Sequence, residues 1–269
     1  MFEQYNFYEN GLLMFSTKDI LSSEESVHFA MLEHPEPKNI LLIGGGVNGS
    51  LEQILKYNVK HVDYVELDPL IINVAKRYLS KSEQKPLNDK RVKIHLTDAR
   101  RFIKSFQDSE SRTGYDVVIV NLPEPYTALL NRFYSLEFFD EVNKVLANRG
   151  IISLSTSSSE NYLSHEQREF LRSIYATLEK VFEDVKVLPG GQNFFIAQKI
   201  NDTKKPDITY NSNILAKRLK ERELDTKYIR EYYLTYRLSP DRVDYIKDCL
   251  LYTSPSPRDL STSRMPSSA

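Results

Sequence analysis

The feature that most constrains this chain is a regular alternation of short apolar runs and amphipathic stretches between Asn39 and Leu188. Strands are expected at Asn39 to Ile43, His61 to Leu67, Val92 to Thr97, Asp116 to Val120, Gly150 to Ser155 and Asp184 to Leu188. Helices are expected between them at Ser50 to Lys56, Pro69 to Leu79, Ala99 to Ser105, Ser135 to Leu146 and Ser164 to Phe182. Strands alternating with helices of this length form parallel βαβ units with right-handed crossovers, so the fold class is α/β.

A last strand, Asn193 to Gln198, follows Leu188 too closely for a helical crossover and must pair antiparallel, as a hairpin. A parallel sheet with that ending is the class I methyltransferase type. Before the alternation, the run around Asn10-Gly11 fits a small β-hairpin, because that dipeptide suits a two-residue type I′ turn. Ser22 to Leu32 fits a short helix capped by Ser22 or Ser23, ended by the prolines at 35 and 37. After Gln198 a polar linker leads to an amphipathic stretch carrying Ile214, Leu215 and Leu219, then to a Tyr- and Arg-rich segment from Tyr228 to Ile246, expected to pack on the domain as a helical appendage. The expected division is a hairpin element over 1–20, an α/β domain over 21–200, an appendage over 201–249 and a Ser- and Pro-rich tail over 250–269. That tail has no apolar period, resembles read-through from a vector or sequencing adapter, and is expected to be non-native.

Composition excludes more than it selects. Thirty-six Lys plus Arg against 37 Asp plus Glu give a formal charge of −1, which offers no footprint for nucleic acid. The single cysteine, Cys249, builds neither a disulfide framework nor a metal site, and no metal is expected. No apolar run approaches the roughly 18–20 residues that span a bilayer, and the expected setting is cytoplasmic. Met1 is nevertheless expected to be a cut inside a longer chain whose membrane-spanning segment lies elsewhere.

The chemistry concentrates where the strands end. Gly44, Gly46 and Gly49 stand in G-x-G-x-x-G spacing between the first strand of the alternation and the next helix, with Gly45 between them. Missing side chains there let backbone approach a ligand at a helix N-terminus. Glu66 closes the next strand, where a carboxylate can accept both hydroxyls of a ribose. Asp68, just before Pro69, fits a helix cap instead. Asp98 ends the third strand, placed either to receive an adenine amino group or to cap the helix that begins at Ala99. Glycines, Glu66 and Asp98 on three consecutive strand ends are jointly explained by an adenosine-containing ligand. The fourth strand ends in VNLPEP, where Asn121 and Glu124 stand in a proline-stiffened loop. Gly190-Gly191-Gln192 turns the last hairpin, from turn geometry or for ligand contact.

The segments NFYENG, GGGVNG, VELDP, LTDAR, VNLPEP, LNRFYSLEFF and PGGQNFF, in this order, resemble the spermidine synthase family of polyamine aminopropyltransferases, and more narrowly the spermidine synthase-like domains of membrane-fused bacterial proteins. The resemblance implies a Rossmann-like domain behind a small β element, usually a homodimer. It implies that Gly44, Gly45, Gly46 and Gly49 line the donor nucleoside, that Glu66 holds the ribose, and that Asp98 with Ala99 recognises adenine. The implied co-substrate is decarboxylated S-adenosylmethionine and the implied partner a small-molecule amine such as putrescine, held with help from His28, Tyr126 and Gln192.

An alkylamine with a pKa near 10.4 is a cation at neutral pH and has no lone pair for attack until a base takes its proton. The family supplies two acids in a D-x-x-D arrangement; the matching residues here are Asn121, which orients an amine but takes no proton at neutral pH, and Glu124, the expected base. Val47 stands where an Asp commonly follows the three glycines, and Val27 precedes His28 where a Tyr is common. The apolar Val47 leaves room for a second donor, intact S-adenosylmethionine, and hence for a methyltransferase. A nucleoside-binding regulatory domain with little catalysis is the third alternative. Arg132, in LNRFY, would repel a cationic diamine if it faced the acceptor.

Overall fold

A computed structural model describes residues 5–9, 11–107, 113–125, 127–158, 163–200, 208–209 and 211–251. An antiparallel pair, β1 (Asn6–Glu9) and β2 (Leu12–Ser16), opens the chain; Asn10 of the expected turn lies outside the described residues. The alternation then unfolds as α1 (Ile20–Glu33), β3 (Asn39–Ile43), α2 (Ser50–Leu55), β4 (His61–Glu66), α3 (Pro69–Tyr78), β5 (Val92–Leu96) and α4 (Ala99–Gln107). It continues as β6 (Tyr115–Val120), the short α5 (Ala128–Asn131), α6 (Leu136–Val145), β7 (Leu146–Ser157), α7 (His165–Glu179), β8 (Asp184–Leu188) and β9 (Gln192–Gln198). Three helices follow: α8 (Ser212–Glu221), α9 (Glu231–Arg237) and α10 (Pro240–Leu251).

The main sheet has seven strands in the order β5-β4-β3-β6-β7-β9-β8. Strands β3 to β7 pair in parallel, and β9 inserts antiparallel between β7 and β8, as the short connection required. Helices cover both faces, which is why β3 and β6 are near-continuous apolar runs. One buried cluster joins α1, α2, α3, α8 and α9 to one face; the other joins α4, α6, α7 and α10 to the opposite face. The chain winds outward from β3 to β5, then returns to place β6 beside β3, so the switch point at which open α/β sheets bind ligands lies between β3 and β6.

Two expectations change. The first helix begins at Ile20 rather than Ser22, and its cap is Asp19, whose carboxylate accepts from the Ser22 N–H at 3.1 Å; Ser23 spends its hydroxyl on the Ile20 carbonyl at 3.0 Å. An Asp after the Thr17-Lys18 turn takes the cap because it lies before the first helical residue, whereas both serines are already inside the first turn. The strand expected from Gly150 begins at Leu146, with a register shift between Tyr115 and Val117 of its partner and Arg149 at a φ of +66°.

The helix α1 is also covered on its far side. Glu24 and Glu25, in the first turns of this helix, are buried under the C-terminal segment. Burial of a carboxylate is tolerable only with charge or hydrogen-bond partners. Glu24 accepts the backbone N–H groups of Lys227, Tyr228 and Ile229 at 2.6, 2.8 and 2.9 Å, and Glu25 pairs with Arg237 and Tyr233. At the other end of α1, Arg218 and Arg222 donate to its last carbonyls, Arg218 to Leu32 and Glu33 and Arg222 to Met31 and His34. Helices α8 and α9 are thereby part of one packed layer with α1. The polar linker at 201–207 and the tail from residue 252 lie outside the described residues, while Leu250 is buried in α10.

Candidate functional site at the strand ends

Backbone hydrogen bonds set four strand ends in line. The Gly44 N–H donates to Val65, the Asn121 N–H to Ile43, and the Thr97 N–H to Glu66, at 2.9, 2.9 and 3.0 Å. The glycine turn, Glu66, Asp98 and the Asn121 loop therefore share one edge of the sheet, as the sequence predicts.

In the glycine turn Gly44, Gly45 and Gly49 have φ values of +70°, +66° and +105°, a region that side chains with a Cβ avoid. Close packing adds a second requirement: a Cβ on Gly45 would lie 2.4 Å from the Asn121 amide nitrogen, and one on Gly46 2.4 Å from the Tyr64 ring. The glycines thus let Asn121 and Tyr64 close against the turn.

Tyr64 is fully buried on β4, and its hydroxyl donates to Glu66 Oε2 at 2.8 Å; the Asp68 N–H reaches Oε1 at 3.3 Å. Burial pushes the Glu66 carboxyl above its ordinary value, and these hydrogen bonds oppose that shift. Sequence reasoning missed Tyr64 as the residue that orients Glu66. The available signal was the period of two, which puts residues 64 and 66 on one face of a strand. Asp68 is the cap of α3, accepting from the Leu70 N–H at 2.8 Å.

Of the two alternatives left open for Asp98, the structure shows the helix cap. Its Oδ1 accepts the Arg101 N–H at 3.1 Å, the bond of a helix cap, and its Oδ2 pairs with Arg132. Arg132 therefore points to Asp98, with its guanidinium 4.7 Å from the centre of the Phe133 ring. Ala99 is buried at the start of α4.

The loop after β6 divides its two candidates. Asn121 donates to Ser50 Oγ at 3.0 Å, and Ser50 in turn bonds Asn48 Oδ1 at 2.9 Å and Ser26 Oγ at 3.1 Å, so the amide belongs to a polar network joining α1 to the glycine turn. Glu124 reaches across to β7, where its Oε1 accepts the Ser157 N–H. Burial, and then the charge of Glu124, raises the Tyr134 phenol, which stays a proton donor near that carboxylate.

His28 is placed in the core between α1 and α2. Its Nδ1 is 2.7 Å from the Tyr57 hydroxyl and its Nε2 3.2 Å from Gln53 Oε1, and burial lowers its pKa from 6.5 to about 4, so it is neutral. Gln192 begins β9 opposite Ser157, and its backbone carbonyl accepts from Arg237 at 3.0 Å. Tyr126 lies outside the described residues. A cavity of about 620 Å³ flanks the glycine turn, lined among others by Val47, Gly49, Gln53, Glu24 and Lys227, and shares the turn but none of the four strand-end acids and amide with the row above. Among the described residues no three His, Cys, Asp or Glu side chains converge to hold a metal ion, and no helix is long and apolar enough to cross a membrane.

Residues 20–205 match the model of the spermine/spermidine synthase domain. A polyamine aminopropyltransferase of Prochlorococcus marinus (strain AS9601) is 29% identical over 186 residues, covering 68% of this chain and 64% of the relative. One from Lachnospira eligens is 36% identical over 145 residues, 53% of this chain and 48% of the relative. The chain thus spans less than two thirds of the length of these curated relatives. In three dimensions, a spermidine synthase solved with the transition-state analogue AdoDATO superposes with a TM-score of 0.74 at 24% identity, over 91% of this chain and 80% of that one, a likeness of fold. With the family's domain matched over most of its length, the chain belongs to the spermine/spermidine synthase family.

Proposed function

We propose that this chain is an aminopropyltransferase domain that moves an aminopropyl group from decarboxylated S-adenosylmethionine to putrescine or another small amine, releasing methylthioadenosine. The observation that carries the proposal is the alignment, on adjoining strand ends, of a buried and oriented Glu66, a glycine turn with left-handed backbone, and a second carboxylate, Glu124, fixed at the far side of the switch point.

In this reading Gly44, Gly45, Gly46 and Gly49 line the donor, Glu66 accepts the ribose hydroxyls, and Asp98, steadied by Arg132 and its helix cap, takes the adenine amino group beside Ala99. Glu124 accepts the proton of the amine. The freed lone pair attacks the carbon next to the sulfonium, the new C–N bond forms as that C–S bond breaks, and the electron pair returns to sulfur as a neutral thioether. Asn121 steadies the glycine turn. Gln192 serves the acceptor side, a role the family resemblance gives to Tyr126 as well, and His28 acts at one remove, holding Gln53. A homodimer, a cytoplasmic setting and a membrane-spanning segment elsewhere in a longer chain belong to the same proposal, as does the division at residues 20, 200 and 249.

The apolar Val47 beside the turn favours a second reading, in which intact S-adenosylmethionine is the donor. Incubation with each donor and putrescine, followed by mass spectrometry, separates the two. Methylthioadenosine that depends on putrescine is the expected product; S-adenosylhomocysteine would make the protein a methyltransferase, and neither product would leave a nucleoside-binding domain.

A further inference from the structure

The C-terminal helix α9 reaches the strand-end edge through one side chain. Arg237 is 2% exposed, although it stands 45 residues beyond the turn it touches. Its Nη1 pairs with Glu25 and meets the Tyr233 hydroxyl at 3.2 Å, its Nη2 donates to the Gln192 carbonyl at 3.0 Å, and its guanidinium lies 5.2 Å from the centre of the Phe29 ring. One planar fork thus joins α1, α9 and the β8–β9 turn.

That fork also accounts for Gly190. Its φ is not in the left-handed region, so backbone conformation does not demand glycine there. A Cβ at this position, however, would lie 2.5 Å from the guanidinium carbon of Arg237. The turn continues the chain of contacts into the site. The Gly190 N–H donates to Asn193 Oδ1 at 3.1 Å, Asn193 donates to Ser158 Oγ at 2.9 Å, and the Ser158 N–H donates to the Gly191 carbonyl at 2.9 Å. The residue before Ser158 supplies the N–H that holds Glu124.

We propose that Arg237 is a positioning residue: from the C-terminal helix it fixes the Gly190–Asn193 turn against α1, and through Ser157 and Ser158 it sets the place of Glu124, so that it governs use of the amine without touching either substrate. What the turn does for the amine rests on the aminopropyltransferase reading; that Arg237 fixes the turn does not. Lysine cannot replace it, because a single ammonium cannot serve Glu25 and the Gln192 carbonyl in the same planar geometry. The charge at Glu25 would remain compensated, which keeps Arg237→Lys folded where removal of the charge would strand a buried carboxylate.

The test uses Arg237→Lys, Gly190→Ala and their double variant in the full chain. Each single variant is expected to lower kcat/KM for putrescine about tenfold or more, the scale of a lost hydrogen bond to a charged donor, with KM for decarboxylated S-adenosylmethionine unchanged. The double variant should be little worse than either single one, since both break the same contact. Hydrogen exchange of the peptide spanning the β8–β9 turn should quicken in both variants while the β3–β4 peptides keep their protection. Donor and amine parameters falling together, or additive losses, would overturn the proposal. If the unaltered protein makes no methylthioadenosine with any amine, the functional reading has failed, and exchange alone decides: quickening confined to the turn supports Arg237 as its anchor, and unchanged exchange removes it.

Discussion

The half of the strand-end edge assigned to the donor and the half assigned to the acceptor are held in different ways. Glu66 is oriented by Tyr64 and by the Asp68 N–H, each two residues away, and Asp98 caps the helix that follows it, through the N–H of Arg101, with one long-range tie, to Arg132, 34 residues on. Glu124, Asn121 and Gln192 take partners 33, 71 and 45 residues away, at Ser157, Ser50 and Arg237. Local ties form wherever a strand runs into a helix and survive changes elsewhere in the fold. Long-range ties couple the acceptor half to the packing of α1, β7 and the C-terminal helices, so its geometry is the more easily altered, by distant substitutions as well as near ones.

The largest expected effect comes from Glu124, the carboxylate assigned to the acceptor half among the described residues. Replacement by Gln keeps the shape and the ability to accept the Ser157 N–H through the amide oxygen, but removes the proton acceptor. A positioned acid–base group typically contributes about 10²–10⁴ in rate, so kcat of Glu124→Gln should fall by that factor with KM for the donor nearly unchanged. Steady-state kinetics at saturating donor read it directly. Turnover within about threefold of the unaltered protein would take the base away from Glu124, because a loss that small lies far below the usual range.

How much of this edge was legible in the sequence follows the same division. The alternation, the antiparallel final hairpin, the glycine turn and Glu66 are local patterns, and they stand where the residues put them. One local signal was misjudged and one overlooked: Asp19 takes the cap expected of Ser22 or Ser23, and Tyr64 goes unremarked although strand periodicity puts it on the face of Glu66. What could not be read were contacts with no local trace. Nothing local shows that residues 227–229 fold over Glu24 and α9 over Glu25, and Gly190 looks like a turn residue until Arg237 is placed beside it. Arg132 is intermediate: its sequence position after the loop was noticed, but only the structure turns it to Asp98.

A smaller effect tests His28, which the resemblance assigned to the acceptor and the fold places in the core. Burial lowers its pKa from 6.5 to about 4, so between those values the unfolded chain takes up a proton that the folded chain excludes. The stability tied to this ring is complete above pH 6.5 and is lost as pH falls toward 4, by on the order of 3 kcal/mol for a shift of this size. Urea midpoints measured from pH 7 to pH 4 should therefore fall more steeply for the unaltered protein than for His28→Gln, which keeps polar contacts to Tyr57 and Gln53 but has no proton to gain. Parallel pH curves for the two proteins would mean that His28 reaches solvent, as a ligand-facing residue would.

The smallest effect is expected where a family comparison alone would predict the largest. Asn121 stands where the aminopropyltransferases are expected to carry an acid, and restoring it as Asp would, on that ground, return a proton acceptor to the site. The amide, however, is committed to Ser50 and the network behind the glycine turn rather than to the space beside Glu124. In Asn121→Asp the Ser50 hydroxyl, with its single proton, must choose between the new carboxylate and Asn48, exchanging one hydrogen bond for another at a net cost of about 1 kcal/mol or less. The added charge lies near the start of α2, where a negative group is tolerated. The variant should fold with little change in Tm, and kcat/KM for putrescine should rise by less than about tenfold, well short of a full acid–base contribution. A gain of a hundredfold would mean that residue 121 faces the amine rather than Ser50, and the contrast between a locally held donor side and a remotely held acceptor side would then rest on Glu124 and Gln192 alone.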